Sequence, residues 1–281
     1  EFGSAYCADG MNAVDWALAN LPVDIKTIGI MGGAGDYGSD WAAGVKYAAE
    51  RNGLTVAWEY TPPSTEFDVA QAVGLMITQP VDAYFPAVVP SQMAQVAGGA
   101  AQQGVTPIAM LAAPAFNDAF VQEGFALKGL FESGAIYTMA WVAPYEYQSN
   151  AHATMRATFA SMGIDSASSF LVAGWSSQYH LKGVLEAAIK GGDLTRAGIR
   201  RAAANVYVES DGMMLTRELG QDRADKESFI NIPDGSIASG VRMLASNYIG
   251  PSAESYDFTQ GPCFASGSVS YTHLTLPTTY T

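Results

Sequence analysis

Four times between residues 26 and 123, a short apolar run ends in a turn and gives way to a segment of helical period. Residues 26–31 lead to a helix over 39–52 with Trp41, Val45 and Ala48 inward and Asn52-Gly53 as its stop. Residues 54–59 lead to 65–79, capped by Ser64 or Thr65, with Val69, Val73 and Met76 inward. Residues 82–86 lead to 91–104, capped by Ser91, and residues 106–111 lead to a loop and a short helix near 115–123. Parallel neighbours need a crossover of about helix length, and right-handed crossovers lay those helices on the sheet. The repeat therefore predicts an α/β chain with a parallel sheet covered on both faces. An apolar content of 49% against 15% charged residues supplies the cores this demands. A helix over 9–20, with Met11, Val14 and Leu18 on one face and Asp9 as N-cap, precedes the repeat.

Beyond "GAIYTMAWVAPYEY" (134–147) the pattern changes. Residues 148–204 read as three consecutive helices, the first with His152, Met155, Phe159 and Met162 on one face. Residues 229–244 read as a hairpin around Pro233-Asp234-Gly235. The three helices carry apolar faces that call for a sheet, and no strands around them supply one. The expectation is that such a sheet lies upstream of residue 1. The last stretch, 268–281, is Ser/Thr-rich and reads as a translated sequencing adapter, an artefactual tail outside the fold.

A formal charge of −13 argues against nucleic acid or an anionic membrane surface as partner, since both require basic patches. No apolar run reaches the length of a membrane span, so no membrane insertion is expected. The opening "EFGSAYCADG" has no basic and no apolar signal region, which leaves a cytosolic protein or a missing N-terminus. Cys7 and Cys263 belong to no C-x-x-C pair; two free thiols are the first expectation and a disulfide the alternative.

Gly33, Gly35 and Gly38 spell G-x-G-x-x-G after the first strand, and Glu59 stands 21 residues past Gly38, the outline of a dinucleotide site. Asp36 weighs against it, because a carboxylate at the helix start competes with a pyrophosphate for the same amides. G-x-S-x-G, H-E-x-x-H and the P-loop lysine motif are absent, and His152 falls on an apolar face. No catalytic residue, metal or cofactor is expected.

The order of segments carries more than the glycines. Asp36-Tyr37-Gly38, then Pro63-Ser64-Thr65-Glu66-Phe67-Asp68, then Pro80-Val81-Asp82-Ala83-Tyr84 and Gln103-Gly104 follow one another. Later comes "WSSQYHLKGVLEAAIKGGDLTRAGIRRAA". Over about residues 5–250 this succession resembles the type I periplasmic-binding-protein fold, in the branched-chain amino acid and amide class of ABC-transporter substrate-binding proteins. The resemblance implies an α/β, Rossmann-like parallel-sheet lobe of a two-lobe protein whose second lobe is incomplete. Residues 1–145 with 228–262 would form the C-terminal-type lobe, and 146–227 a helical remnant of the N-terminal-type lobe.

The resemblance further implies a small-molecule ligand held between the lobes, an ABC permease as partner, a location outside the cytoplasm and no turnover. Asp36 and Tyr37 would contribute from the first loop. Val88 and Val89 stand where relatives often place an aromatic. Ala113 and Phe116 stand in the third loop, where several amino acid binders have a glutamate. Without that acid an ammonium must find Asp9 or Asp36, or the ligand is an amide, a urea-like molecule or another weakly polar solute. Tyr145 and Tyr147 would edge the cleft or pack the hinge. A ligand-sensing regulator on the same fold and, less favoured, a dinucleotide oxidoreductase remain the alternatives.

Overall fold

The computed structural model describes residues 4–204, 206–208, 210–214, 217–218, 226–258 and 263–264. The expected tail at 268–281 lies outside the described residues. Helix α1 (Tyr6–Asn20) precedes β1 (Thr27–Gly32), α2 (Gly38–Arg51), β2 (Thr55–Tyr60), α3 (Val69–Thr78), β3 (Ala83–Ala87), α4 (Pro90–Gln102) and β4 (Ile108–Leu111). Short α5 (Lys128–Phe131) leads to β5 (Ile136–Ala140). Helices α6 (Asn150–Ser161), α7 (Ser169–Lys190) and α8 (Arg196–Ala203) follow, then the two-residue strands β6 (Tyr207–Val208) and β7 (Arg217–Glu218). Strands β8 (Ser228–Pro233) and β9 (Val241–Tyr248) and helix α9 (Pro251–Ser255) complete the order.

Seven strands form one sheet in the order β2-β1-β3-β4-β5-β8-β9. The first five are parallel, and the hairpin β8–β9 joins antiparallel on β5, with Thr138 opposite Asn231 and Ala140 opposite Phe229. The four expected units and the hairpin are present; β5, in the stretch left unassigned, is a fifth parallel strand.

Two cores lie on the two faces. Ile28, Ile30, Phe85 and Met110 pack with α1 and α2 through Met11, Trp41 and Val45. Tyr84 and Leu111 pack on the other face with Met76, Met93, Phe120 and Phe131. Alternation along β3 sends Phe85 to one face and Tyr84 to the other, so a continuous apolar run serves both. Trp41 is fully buried because its indole N–H donates to the Phe85 carbonyl at 3.2 Å. Helices α1 and α2 approach closely at Gly44, where a Cβ would stand 2.0 Å from the Cys7 carbonyl oxygen.

Several local expectations are corrected. Asp9 is no N-cap: α1 begins three residues earlier and encloses it. Helix α3 starts at Val69, capped by Asp68, which accepts from the Ala70 and Gln71 amides; a 3₁₀ turn at Ser64–Glu66 overlaps the predicted first turn. Helix α4 starts at Pro90 rather than beyond Ser91, because proline suits the first helical position. The helix expected near 115–123 is two 3₁₀ turns, Ala113–Ala115 and Asp118–Val121, with Asn117 capping the second. Met162, 67% exposed, lies past the end of α6, so it leaves the buried face of His152, Met155 and Phe159. Cys7 and Cys263 form a disulfide, against the first expectation of free thiols.

The three helices of 148–204 occur as read. Met155, Phe159 and Val172 pack with Tyr145, Met213 and Met214 in a separate small core. On α7, Phe170, Leu171, Leu181 and Ile189 stand 42–61% exposed. At about 100° per residue they fall within one arc of roughly 100°, so α7 carries an apolar stripe. Among the described residues only the β6–β7 pair adds strands near this segment. No helix among the described residues is long and apolar enough to cross a membrane.

Candidate functional site

Parallel strands all end on the same edge of the sheet, and the loops leaving that edge are free to hold a ligand. Here the loops after β1, β3, β4 and β5 meet there. The first turns sharply: a Cβ on Gly38 would lie 2.1 Å from the Gly33 carbonyl oxygen, and one on Gly33 would lie 2.4 Å from Ser64 Oγ. Those two glycines are thus required by the chain's own packing. Glu59, the acid a dinucleotide would need, is engaged by Lys46 at 2.9 Å. Neither observation calls for a nucleotide.

The turn delivers Tyr37 to the neighbouring loop, where its hydroxyl donates to the Val88 carbonyl at 3.3 Å. Burial, with the nearby Tyr6 and Asp9, pushes the phenol well above its ordinary range, so it stays a protonated donor. The Tyr37 ring meets Tyr6 with centroids 4.7 Å apart, and Tyr6 meets Trp141 at 6.3 Å. This aromatic row runs from the end of β1 to the end of β5. Trp141 opens on a cavity of about 30 Å³, bounded by Ala113 and Phe116 after β4, by Thr138 and Asn231 on the sheet and by Ser169 and Phe170 of α7.

The eight expected residues separate into groups. Tyr37 and Val88 are joined by a hydrogen bond, though the Val88 side chain is buried in the core beneath α4. Ala113 and Phe116 share the cavity, and Phe116 is held edge-on by Phe120 at 5.9 Å. Val89 is 49% exposed, and Asp36 is exposed on the turn. Tyr145 is buried with its ring parallel to Phe159 at 6.5 Å, inside the helical core.

Asp9, near enough to Tyr37 to act on its phenol, is fully buried on α1. Its Oδ1 accepts from Ser4 and Ser228 hydroxyls, both at 2.5 Å, while its Oδ2 has no hydrogen-bond partner among the described residues. Burial raises its carboxyl to about 7 despite those two bonds, and Asp40 adds to the rise.

Tyr6, Trp141, Asp118 and Asn231 join the site without being among the expected residues. For Asn231 a signal existed: "FINIP" (229–233) is a strand run interrupted by one amide. Trp141 was visible as the first residue past an apolar run, but that run had not been read as a strand.

The model of one family, described as periplasmic binding protein, matches residues 2–228. The chain belongs to the periplasmic binding protein family. No curated protein sequence matches it. Among solved structures, it is similar to a fatty acid ABC transporter substrate-binding protein from Thermomonospora curvata, with 24% identity and a TM-score of 0.81, covering 91% of this chain and 66% of that one. It is similar to a branched chain amino acid ABC transporter from Thermus thermophilus with bound valine (9% identity, TM-score 0.68, 89% and 66% covered). A leucine binding protein from Thermotoga maritima compares at 16% identity and TM-score 0.66, with 87% and 66% covered. This periplasmic binding protein thus spans about two thirds of the length of each. These likenesses establish the α/β fold with its mostly parallel seven-stranded sheet.

Proposed function

We propose that this periplasmic binding protein is the solute-binding component of an ABC importer. It works outside the cytoplasm, captures a small metabolite at the strand ends and hands it to a membrane permease. No bond is made or broken in that cycle. One observation carries the reading: at one edge of the sheet the aromatic row Tyr37–Tyr6–Trp141 leads to a cavity lined by Trp141, Ala113, Phe116 and Phe170.

The solute in this reading is an amino acid, an amide or a urea-like molecule with a substantial apolar part. The apolar third loop favours the weakly polar end of that range, and the likeness to the fatty acid ABC transporter substrate-binding protein from Thermomonospora curvata is consistent with an apolar body. Residues 1–145 with 228–262 act as one lobe in this proposal, and 146–227 belong to the lobe that closes on it. The exposed stripe on α7 supports this division, since an apolar face of that extent is stable only when covered.

A thermal-shift panel on the protein extended by its upstream coding sequence tests the reading. Amino acids, amides, ureas, short fatty acids, NAD and FAD are each added at about 100 times a micromolar Kd, where one bound solute stabilises by about 2.7 kcal/mol. One solute class is expected to raise Tm by about 3–5 °C and to be recovered unchanged. A shift with a dinucleotide and none with the solutes overturns the proposal.

A further inference from the structure

The cavity beside Trp141 holds a buried polar group that the protein's own structure leaves unsatisfied. Asn231 is 1% exposed, lines the cavity, and its Oδ1 has no hydrogen-bond partner among the described residues. Such an orphan acceptor costs about 1–3 kcal/mol unless something donates to it. Its neighbour Thr138, 2% exposed, already donates its hydroxyl to the Met139 carbonyl at 2.9 Å, so its oxygen is left to accept. Asp118, half-buried, adds a carboxylate to the same lining. On the opposite wall stand Ser169 and Phe170, the first two residues of the 22-residue helix α7, whose end carries partial positive charge.

We infer that this cavity is the head-group subsite for the solute, with Asn231 its specificity-determining residue, and that it takes an uncharged carboxamide or urea group. This rests on the solute-binding reading above. The charges decide the class. A carboxylate head meets Asp118 and finds no Lys, Arg or His in the lining. An ammonium head gains Asp118 but meets the positive end of α7, as a carboxylate gains that end but meets Asp118, so either charge faces one opposing wall. A carboxamide satisfies both walls: its N–H donates to Asn231 Oδ1, and its carbonyl accepts from the α7 side. About 30 Å³ admits the head alone, since a single water needs about 10–15 Å³ by the same measure. The apolar body then lies along Phe116 and Phe170.

Every named wall belongs to this chain, so the chain itself suffices for the test. Benzamide, benzoate and benzylamine are titrated to millimolar concentration into the ¹⁵N-labelled 281-residue protein. The Asn231 side-chain NH₂ signal, assigned by its loss in Asn231→Leu, is followed. Benzamide is expected to move that signal saturably and to bind about tenfold more tightly than either charged probe, the worth of one buried hydrogen bond with its partner left unmet otherwise. Asn231→Leu is expected to abolish this preference without lowering Tm, since it removes an unsatisfied group; Asn231→Ser serves if the leucine variant does not fold. Equal affinity for the three probes, or no binding of any, overturns the inference. So does saturable binding that leaves the Asn231 signal still, as when ordered water alone fills the cavity. Each of these outcomes leaves the solute panel of the extended protein to decide importer function separately.

Discussion

Asp9 is a carboxyl sealed inside the protein, and its burial has a measurable consequence for stability against pH. Its two hydroxyl partners, Ser4 and Ser228, satisfy one oxygen and leave the other without a partner among the described residues. The folded-state value of about 7 stands above the ordinary 3.8. Between those limits the unfolded chain has released a proton that the folded protein keeps, so stability falls as pH rises. The contribution is fully present below 3.8 and is lost as pH passes through about 7. At about 1.4 kcal/mol per pH unit, the loss reaches about 4 kcal/mol as a ceiling. Asp82, Asp193 and Asp234 are shifted the other way by hydrogen bonds, so their contributions disappear only as pH falls below the ordinary carboxylate value, outside this window.

Asp9→Asn keeps an oxygen for the two hydroxyls and removes the titration. Urea unfolding at pH 4.5 and pH 8 is the assay. The wild-type protein is expected to lose several kcal/mol more than the variant between the two, and the variant to be the more stable at pH 8. Parallel pH dependence in the two proteins would refute the reasoning, as would a wild-type protein more stable at pH 8 by this group's contribution. The same substitution is expected to leave solute preference unchanged, because a fully buried carboxyl cannot pair with a ligand's ammonium.

Cys7→Ser with Cys263→Ser opens a bridge spanning 256 residues; the loss in denaturant stability is expected at about 2–5 kcal/mol, the chain-entropy ceiling being just above that range. Gly38→Ala places a methyl 2.1 Å from the Gly33 carbonyl and, as a backbone clash, should cost at least about 1–3 kcal/mol, with an accompanying loss of the Tyr37–Val88 contact seen as altered Tyr37 fluorescence or NMR shifts. Phe131→Ala removes a fully buried ring stacked on Phe120 at 4.3 Å; about 3–5 kcal/mol should be lost in urea unfolding, with solute selectivity intact.

The β-α alternation of residues 26–111, the three helices that follow and the hairpin at 229–244 were legible because each announces itself within one turn or one pleat. Trp41, Val45 and Ala48 share a helical face whatever they pack on, and "PDG" turns a chain wherever it stands. The family resemblance was legible too, in the order of several weak motifs. The helix starts are less legible, since the Asp68 cap and Pro90 shift two of them.

What the tertiary structure alone decided lies in contacts between distant segments. Asp9 looked like a cap because its local setting suits one. Only the return of Ser228, 219 residues later, makes it a buried carboxyl. Cys7 and Cys263 carry no local sign of pairing, and Tyr145 was as suited to a cleft as to the Phe159 ring it stacks on. Asn231 reads as a flaw in an apolar strand until β8 sets it beside Thr138 and α7 closes the cavity over both. Local periodicity is written in neighbouring side chains and survives without the rest of the molecule. Burial, pairing and an unsatisfied amide depend on which remote surface arrives, and only packing determines that.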